Sequence, residues 1–337
     1  MRYIIIGAGA VGGTVGGRLA EAGHDVVLVA RGAHYEALRD GGLRLSTPDG
    51  RHTHRLPVVQ DPQELGELRE DDVLLLAVKT QDSTAALDAW GHLPVAGGGT
   101  AAERLPLVCA QNGVASERIA LRRFRHVYGM CVWLPATHVQ PGSVSAAGAP
   151  LTGILHIGRY PAGTDQTARS IAGDLEKSRF EAPVVADVMR WKYAKLLGNL
   201  ANSIEAVTGL LAGEDGLALY RRTRAEGEAV LAAAGIEATG EEEQKRFRAE
   251  KIRFEPFDGS ERGGGSSWQS LNRGTGTIEA DYLNGEIALL GRLHGVPTPV
   301  NDTLQRVANT FARERRAAGS MSVAELTALV DAEEMAH

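Results

Sequence analysis

Apolar positions along the chain follow one rhythm up to about Val144 and another after about Val185. In the first part, short runs rich in Val, Ile and Leu (residues 3–6, 25–29, 43–46, 73–78, 107–110 and 126–133) read as buried strands. Helical stretches such as 11–22 and 83–89 stand between some of them. That alternation predicts a doubly wound α/β sheet. The block 141–160, punctuated by Gly and Pro and carrying the β-rich piece 154–157, reads as the far edge of this sheet. Beyond it, apolar residues recur at helical spacing over 187–211, 218–234 and 277–293, which predicts a second, all-α domain. The expected boundary lies near Pro183, giving a dinucleotide-binding domain over 1–183 and a helical substrate domain over 184–330. No internal repeat is visible.

The run 3–6 leads directly into Gly7, Gly9 and Gly12, a G-x-G-x-x-G spacing with a strand before it and a helix after it. The first glycine permits the tight turn. The second lets a pyrophosphate approach the backbone, and the third lets helix and strand pack closely. Helix 11–22 would then aim its free N–H groups and positive dipole end at the phosphates, with Ala10 just before it and Val11 in its first turn as expected cofactor contacts. The next strand ends in Ala30 and Arg31, where NAD-preferring folds carry an acid; Arg31 favours the 2′-phosphate of NADPH. Lys79 and Asn112 each follow a buried strand at its carboxyl end, where open α/β sheets bind ligands. Asn112 and Gly113 also suit an ordinary tight turn.

Composition narrows the class without naming the chemistry. A chain of 337 residues, 43% of them apolar, has material for two cores. A net charge of −6 without a sustained basic run argues against nucleic acid and anionic membrane surfaces, leaving small molecules as the expected partners. No apolar run has membrane-spanning length. Two cysteines, Cys109 and Cys131, and an N-terminus that enters a strand at once lead to the expectation of a reduced, cytoplasmic protein. His52 and His54 lack carboxylates at ligand spacing, so no catalytic metal is expected.

The helical half carries the sharper chemistry. In the segment 191–202, Lys195, Asn199 and Asn202 stand at i, i+4 and i+7 and share one helix face beside the apolar stripe Leu196, Leu200, Ile204 and Val207. An amphipathic helix with a solvated polar stripe would show the same pattern. The glycines 263–265 read as an interhelical linker before Ser266, with a mobile lid as the alternative.

Taken in order, Gly7-x-Gly-x-x-Gly12, Arg31, Val78-Lys79, Gln111-Asn112-Gly113, the 191–202 segment and the run Ile278 to Gly285 resemble the ketopantoate reductase (2-dehydropantoate 2-reductase) family, over residues 1 to about 313. The resemblance implies a Rossmann-type domain and a C-terminal all-α domain of the 6-phosphogluconate dehydrogenase C-terminal-like type, with the active site in a cleft between them. It implies NADPH-dependent reduction of a 2-oxo acid, with 2-dehydropantoate to pantoate, a step of pantothenate biosynthesis, as the first candidate. By resemblance Lys195 is the general acid and Glu279 contacts the substrate hydroxyl or orients the lysine. Asn112, Asn199 and Ser266 correspond to substrate-binding positions, and Lys79 and Asn112 neighbour the nicotinamide. A helical second domain offers a homodimer surface by fold analogy.

Some positions depart from the family pattern. Ser203 replaces the second Asn, which stands one position early as Asn202, and the family's Asn-Pro-Leu-Thr reads Asn202-Ser203-Ile204-Glu205. Trp268 is unusually large and the Asp after Gln269 is missing. Asn202 and Ser203 are kept among the expected substrate-binding residues. The departures also keep open a family member that reduces another ketone, keto acid or imine. A nonenzymatic NADPH sensor is the third reading, disfavoured by retention of Lys195 and Glu279.

Overall fold

A computed structural model describes residues 1–138, 140–209, 211, 213–249, 251–257 and 264–336. The chain forms two compact units, Met1–Trp191 with Gly240–Glu261, and Lys192–Thr239 with Arg262–His337. The division falls inside a helix, a few residues after the expected 183/184 boundary. The return of 240–261 to the first unit has no counterpart in the sequence pattern.

Strands of the first unit, in chain order, are β1 (Arg2–Ile6), β2 (Asp25–Val29), β3 (Leu43–Thr47), β4 (Gly50–His54), β5 (Val58–Val59), β6 (Asp72–Leu76), β7 (Pro106–Cys109), β8 (His126–Trp133), β9 (Ala136–Thr137), β10 (Ser143–Ala146), β11 (Gly148–Pro150), β12 (Gly153–Arg159), β13 (Phe180–Glu181) and β14 (Ile252–Phe254). The main sheet has the order β13-β12-β8-β7-β6-β1-β2-β5. It is parallel from β5 to β8; β12 is antiparallel to β8, and β13 runs parallel to β12. Its strands read as continuous apolar runs because both faces are covered. Tyr3, Ile5, Val26, Leu28, Val73 and Leu75 enter one core, whereas Ile4, Ile6, Val27, Val29, Leu74 and Leu76 enter the other. The Rossmann-type expectation holds.

The expected strand 43–46 is formed but lies elsewhere. As β3 it belongs to a separate four-stranded sheet, β4-β3-β10-β9. The reason is in its pattern: Leu43, Leu45 and Thr47 are buried while Arg44 is exposed, the alternation of a strand covered on one face. The block 141–160 likewise divides: β10 joins the small sheet, β11 pairs with β14, and β12 lies one strand inside the edge formed by β13.

Helix α1 (Ala10–Glu21) is gripped between the two sheets. A Cβ on Gly12 or Gly16 would meet Ile5 at 2.8 or 3.1 Å, on the main sheet. A Cβ on Gly13 or Gly17 would meet Val144 or Leu45, each at 2.9 Å, on the small one. Two glycine rows one residue apart thus let one helix touch a sheet on each side. At the amino ends of β1 and β6, fully buried Asp72 accepts Arg2 Nε (2.7 Å), Arg2 Nη2 (2.6 Å) and the Arg69 N–H (2.8 Å).

The returning segment packs an aromatic cluster against β12. His156 is fully buried, stacked on Trp191 at 3.9 Å and tilted against Phe247 at 4.7 Å. Neither of its ring nitrogens has a hydrogen-bond partner among the described residues. Burial foremost, then the Lys251 cation, lowers its pKa to about 3. The unfolded chain takes up this proton near the ordinary histidine value of about 6.5, which the folded chain does not. Stability is therefore full above about pH 6.5 and is lost as pH falls toward 3, by about 1.4 kcal/mol per pH unit from this group. Denaturant titrations at pH 5, 6 and 7 should show this limb in the parent protein and a flatter one in His156→Phe. Equal slopes in the two proteins would remove His156 as the cause.

The second unit contains helices and no strand among the described residues. Ile204, Val207, Leu219, Leu304, Phe311 and Leu326 lie in its core. No helix is long and apolar enough to cross a membrane among the described residues.

Candidate active site

Chain order places the turn after β1 beside the loop after β6. From β1 the chain builds outward through β2 and β5, then returns to lay β6 on the other flank of β1, so their carboxyl ends form a topological switch point. Three glycines meet there for three reasons. Gly7 has φ +102°, and a Cβ would strike the Ala77–Val78 backbone at 2.8–2.9 Å. A Cβ on Gly12 would lie 2.2 Å from the Gly7 carbonyl. Gly9, the N-cap of α1, has nothing within 4 Å of its Cβ position, so the protein itself leaves the start of the helix open there. Ala10 and Val11 form the first turn of α1, half-buried.

Arg31 stands just past β2, exposed and without an ion pair among the described residues, as N-cap of α2 (Gly32–Gly41). Lys79 and Asn112 are half-buried just past β6 and β7. Gln111, a motif residue given no role from the sequence, joins those two loops: its Nε2 donates to Val78 O (3.1 Å) and Ser83 Oγ (2.7 Å). His34, unnoticed in the sequence, contacts the glycine turn through Ala8 O at 2.7 Å.

In the second unit the expected single helix 187–211 is interrupted. Helix α3 (Val188–Asn199) carries Lys195 and Asn199, and α4 (Ala201–Thr208) carries Asn202 and Ser203. Leu200 between them keeps helical torsions, and its carbonyl accepts Nδ2–H of buried Asn284 (3.3 Å). Asn284 Oδ1 also accepts the Ser203 hydroxyl (2.6 Å), and its Nδ2 reaches Asn301 Oδ1 (3.0 Å). Ser203, 1% exposed, is thereby engaged inside the unit.

Lys195 is half-buried, one turn before Asn199. Asn199 Nδ2 is buried and has no partner among the described residues. Ser266 begins a short helix over Ser266–Asn272, whose N-cap, Gly265, donates its N–H to Glu205 Oε2 (2.9 Å). Gly265 also adjoins Asn202, whose Oδ1 lies 3.4 Å from its Cβ position. The fold thus gathers Asn202, Glu205 and the approach to Ser266. Gly264 and Gly265 are pressed against Trp268 and Glu205, so close approach is what demands glycine there; Gly263 lies outside the described residues. Glu279 opens a 3-10 turn, Glu279–Tyr282, and is 5% exposed, unlike a solvated first-turn acid.

Family models cover both units. Residues 3–162 match "Ketopantoate reductase PanE/ApbA" and residues 187–312 match "Ketopantoate reductase PanE/ApbA C terminal". The chain belongs to the ketopantoate reductase family. A 2-dehydropantoate 2-reductase of Mesorhizobium japonicum is 30% identical, over 94% of this chain and 99% of the relative. A PanE/ApbA family ketopantoate reductase of Ralstonia eutropha superposes with a TM-score of 0.76 at 28% identity, covering 94% of this chain and all of that one. D-mandelate dehydrogenase, solved with NADH and anilino(oxo)acetate, reaches the same TM-score at 22% identity over 94% and 100% of the two chains, a likeness of fold alone. As a member of the ketopantoate reductase family, the protein is an oxidoreductase acting on a C=O group with a nicotinamide cofactor.

Proposed function

We propose that this ketopantoate reductase family member is an NADPH-dependent 2-oxo-acid reductase, with 2-dehydropantoate the substrate to try first. The observation that carries this reading is the buried, unpartnered Nδ2 of Asn199 one turn from Lys195. That donor has no acceptor among the described residues, and an oxo acid admitted beside it would supply one. Gly9's open Cβ position at the start of α1 fits a pyrophosphate, and exposed Arg31 fits a 2′-phosphate.

When bound, NADPH supplies the hydride. The chain's own part is to stabilise the charge that then develops on the carbonyl oxygen. The Lys195 ammonium does so and gives that oxygen its proton from Nζ. Asn199 Nδ2 holds the substrate in register, Ser266 and Asn202 contact its polar groups, and buried Glu279 orients it or the lysine. Lys79 and Asn112 border the nicotinamide.

A second reading, reduction of another ketone, keto acid or imine, is favoured by Glu205 and Ser203. A carboxylate occupies the Gly265 N–H beside Ser266, and the Ser203 hydroxyl donates to Asn284 rather than being offered to a ligand. NADPH oxidation followed with 2-dehydropantoate and a panel of oxo acids, ketones and imines decides between the two. The highest kcat/KM with 2-dehydropantoate supports the first, and preference for another compound replaces it with the second. In the same assay Arg31→Ala should raise KM for NADPH about tenfold and leave KM for NADH nearly unchanged. Equal changes would count against Arg31 as the phosphate contact.

A further inference from the structure

We infer that His34 is a positioning residue for the pyrophosphate turn, setting the direction of the Gly9 N–H without itself touching the cofactor. The inference rests on the cofactor reading given above. His34 lies on α2, three residues after Arg31. The Gly142 N–H donates to its Nδ1 (2.9 Å), so Nδ1 is the acceptor and the ring proton is on Nε2. Nε2 therefore donates to Ala8 O (2.7 Å).

The consequence follows from the planar trans peptide between Ala8 and Gly9, whose C=O and N–H point in opposite directions. Fixing the Ala8 carbonyl toward His34 turns the Gly9 N–H away from it, at a residue with nothing within 4 Å of its Cβ position. It also keeps a carbonyl oxygen from facing an anion. The neighbouring Gly7 and Ala8 N–H groups are both spent on Val29 O (3.2 and 3.0 Å), so they hold the base of the turn and leave the orientation of the Ala8–Gly9 peptide to His34. The other anchor is firm as well. Gly142 has φ +75° and a Cβ there would meet Ala37 on α2 at 3.0 Å, and His138 covers the imidazole at 4.3 Å. Burial lowers the His34 pKa, partly opposed by the bond to Ala8, in keeping with a neutral ring.

Dissociation constants of NADPH and NADH, measured by protein fluorescence on the full chain, test this. In His34→Leu both should rise about tenfold, since both cofactors share the pyrophosphate, while kcat at saturating cofactor stays within about twofold. Arg31→Ala, by contrast, should weaken NADPH alone. Two further variants separate positioning from general structural support, and they serve also if the leucine variant does not fold. His34→Gln places an amide nitrogen near the position of Nε2 and should restore binding to within about twofold; His34→Asn, which reaches only the Gly142 side, should bind as weakly as His34→Leu. Parental affinity in His34→Leu, or equal affinities in the Gln and Asn variants, overturns the inference alone. Failure of the unsubstituted protein to bind either dinucleotide overturns the cofactor reading and the inference together.

Discussion

Lys195→Ala should lower kcat by about three orders of magnitude while the NADPH dissociation constant moves less than about twofold. The size follows from the two jobs proposed for one ammonium, stabilising the developing oxyanion and delivering its proton, neither of which alanine could do. The pattern matters as much as the size, because a group that acts on the reacting oxygen should leave cofactor binding intact. Stopped-flow turnover with saturating oxo acid, beside a fluorescence titration with NADPH, measures both. A loss of less than about tenfold in kcat would transfer the proton to another donor. Lys192, three residues earlier and 3% exposed, is the nearby lysine to test next.

Asp72→Ala is expected to cost about 3–5 kcal/mol of folding stability, because it strands the Arg2 guanidinium in a site built for a carboxylate. Cofactor affinity should nevertheless persist in the folded fraction. Asp72 sits at the amino ends of β1 and β6, whereas the glycine turn and Lys79 are at their carboxyl ends. Urea unfolding of the first unit reports the loss, and Arg2→Leu combined with Asp72→Leu should recover most of it by removing both charges together. A single-variant loss below about 1 kcal/mol would mean that water reaches the guanidinium easily.

The architecture was legible where a pattern has one physical meaning. Continuous apolar runs such as 3–6 and 73–78 allow strands covered on both faces, and the glycine spacing has a backbone reason at each position. Strand 43–47 was legible as a strand but not in its sheet, although the Leu–Arg–Leu alternation carries that information. The return of 240–261 was not legible, because pairing of β14 with β11 depends on residues far apart in sequence. At the candidate site the i, i+4 relation of Lys195 to Asn199 emerged from helical spacing alone. The break at Leu200 did not, since the apolar stripe Leu196, Leu200, Ile204 and Val207 runs through it at helical spacing. His34 escaped notice because a lone histidine in a polar helix has no distinguishing pattern; its meaning lies wholly in what the fold brings against its two nitrogens.

The twin glycine rows of α1 also bear on how this reductase can breathe. A helix clamped between two plates, with backbone or methyl groups at contact distance on each side, has no slack in which to slide or roll. Any movement that accompanies dinucleotide entry and exit should therefore fall to the rim, meaning the arginine arm and the lysine loop, while the helix and the peptide held by His34 serve as a fixed anvil.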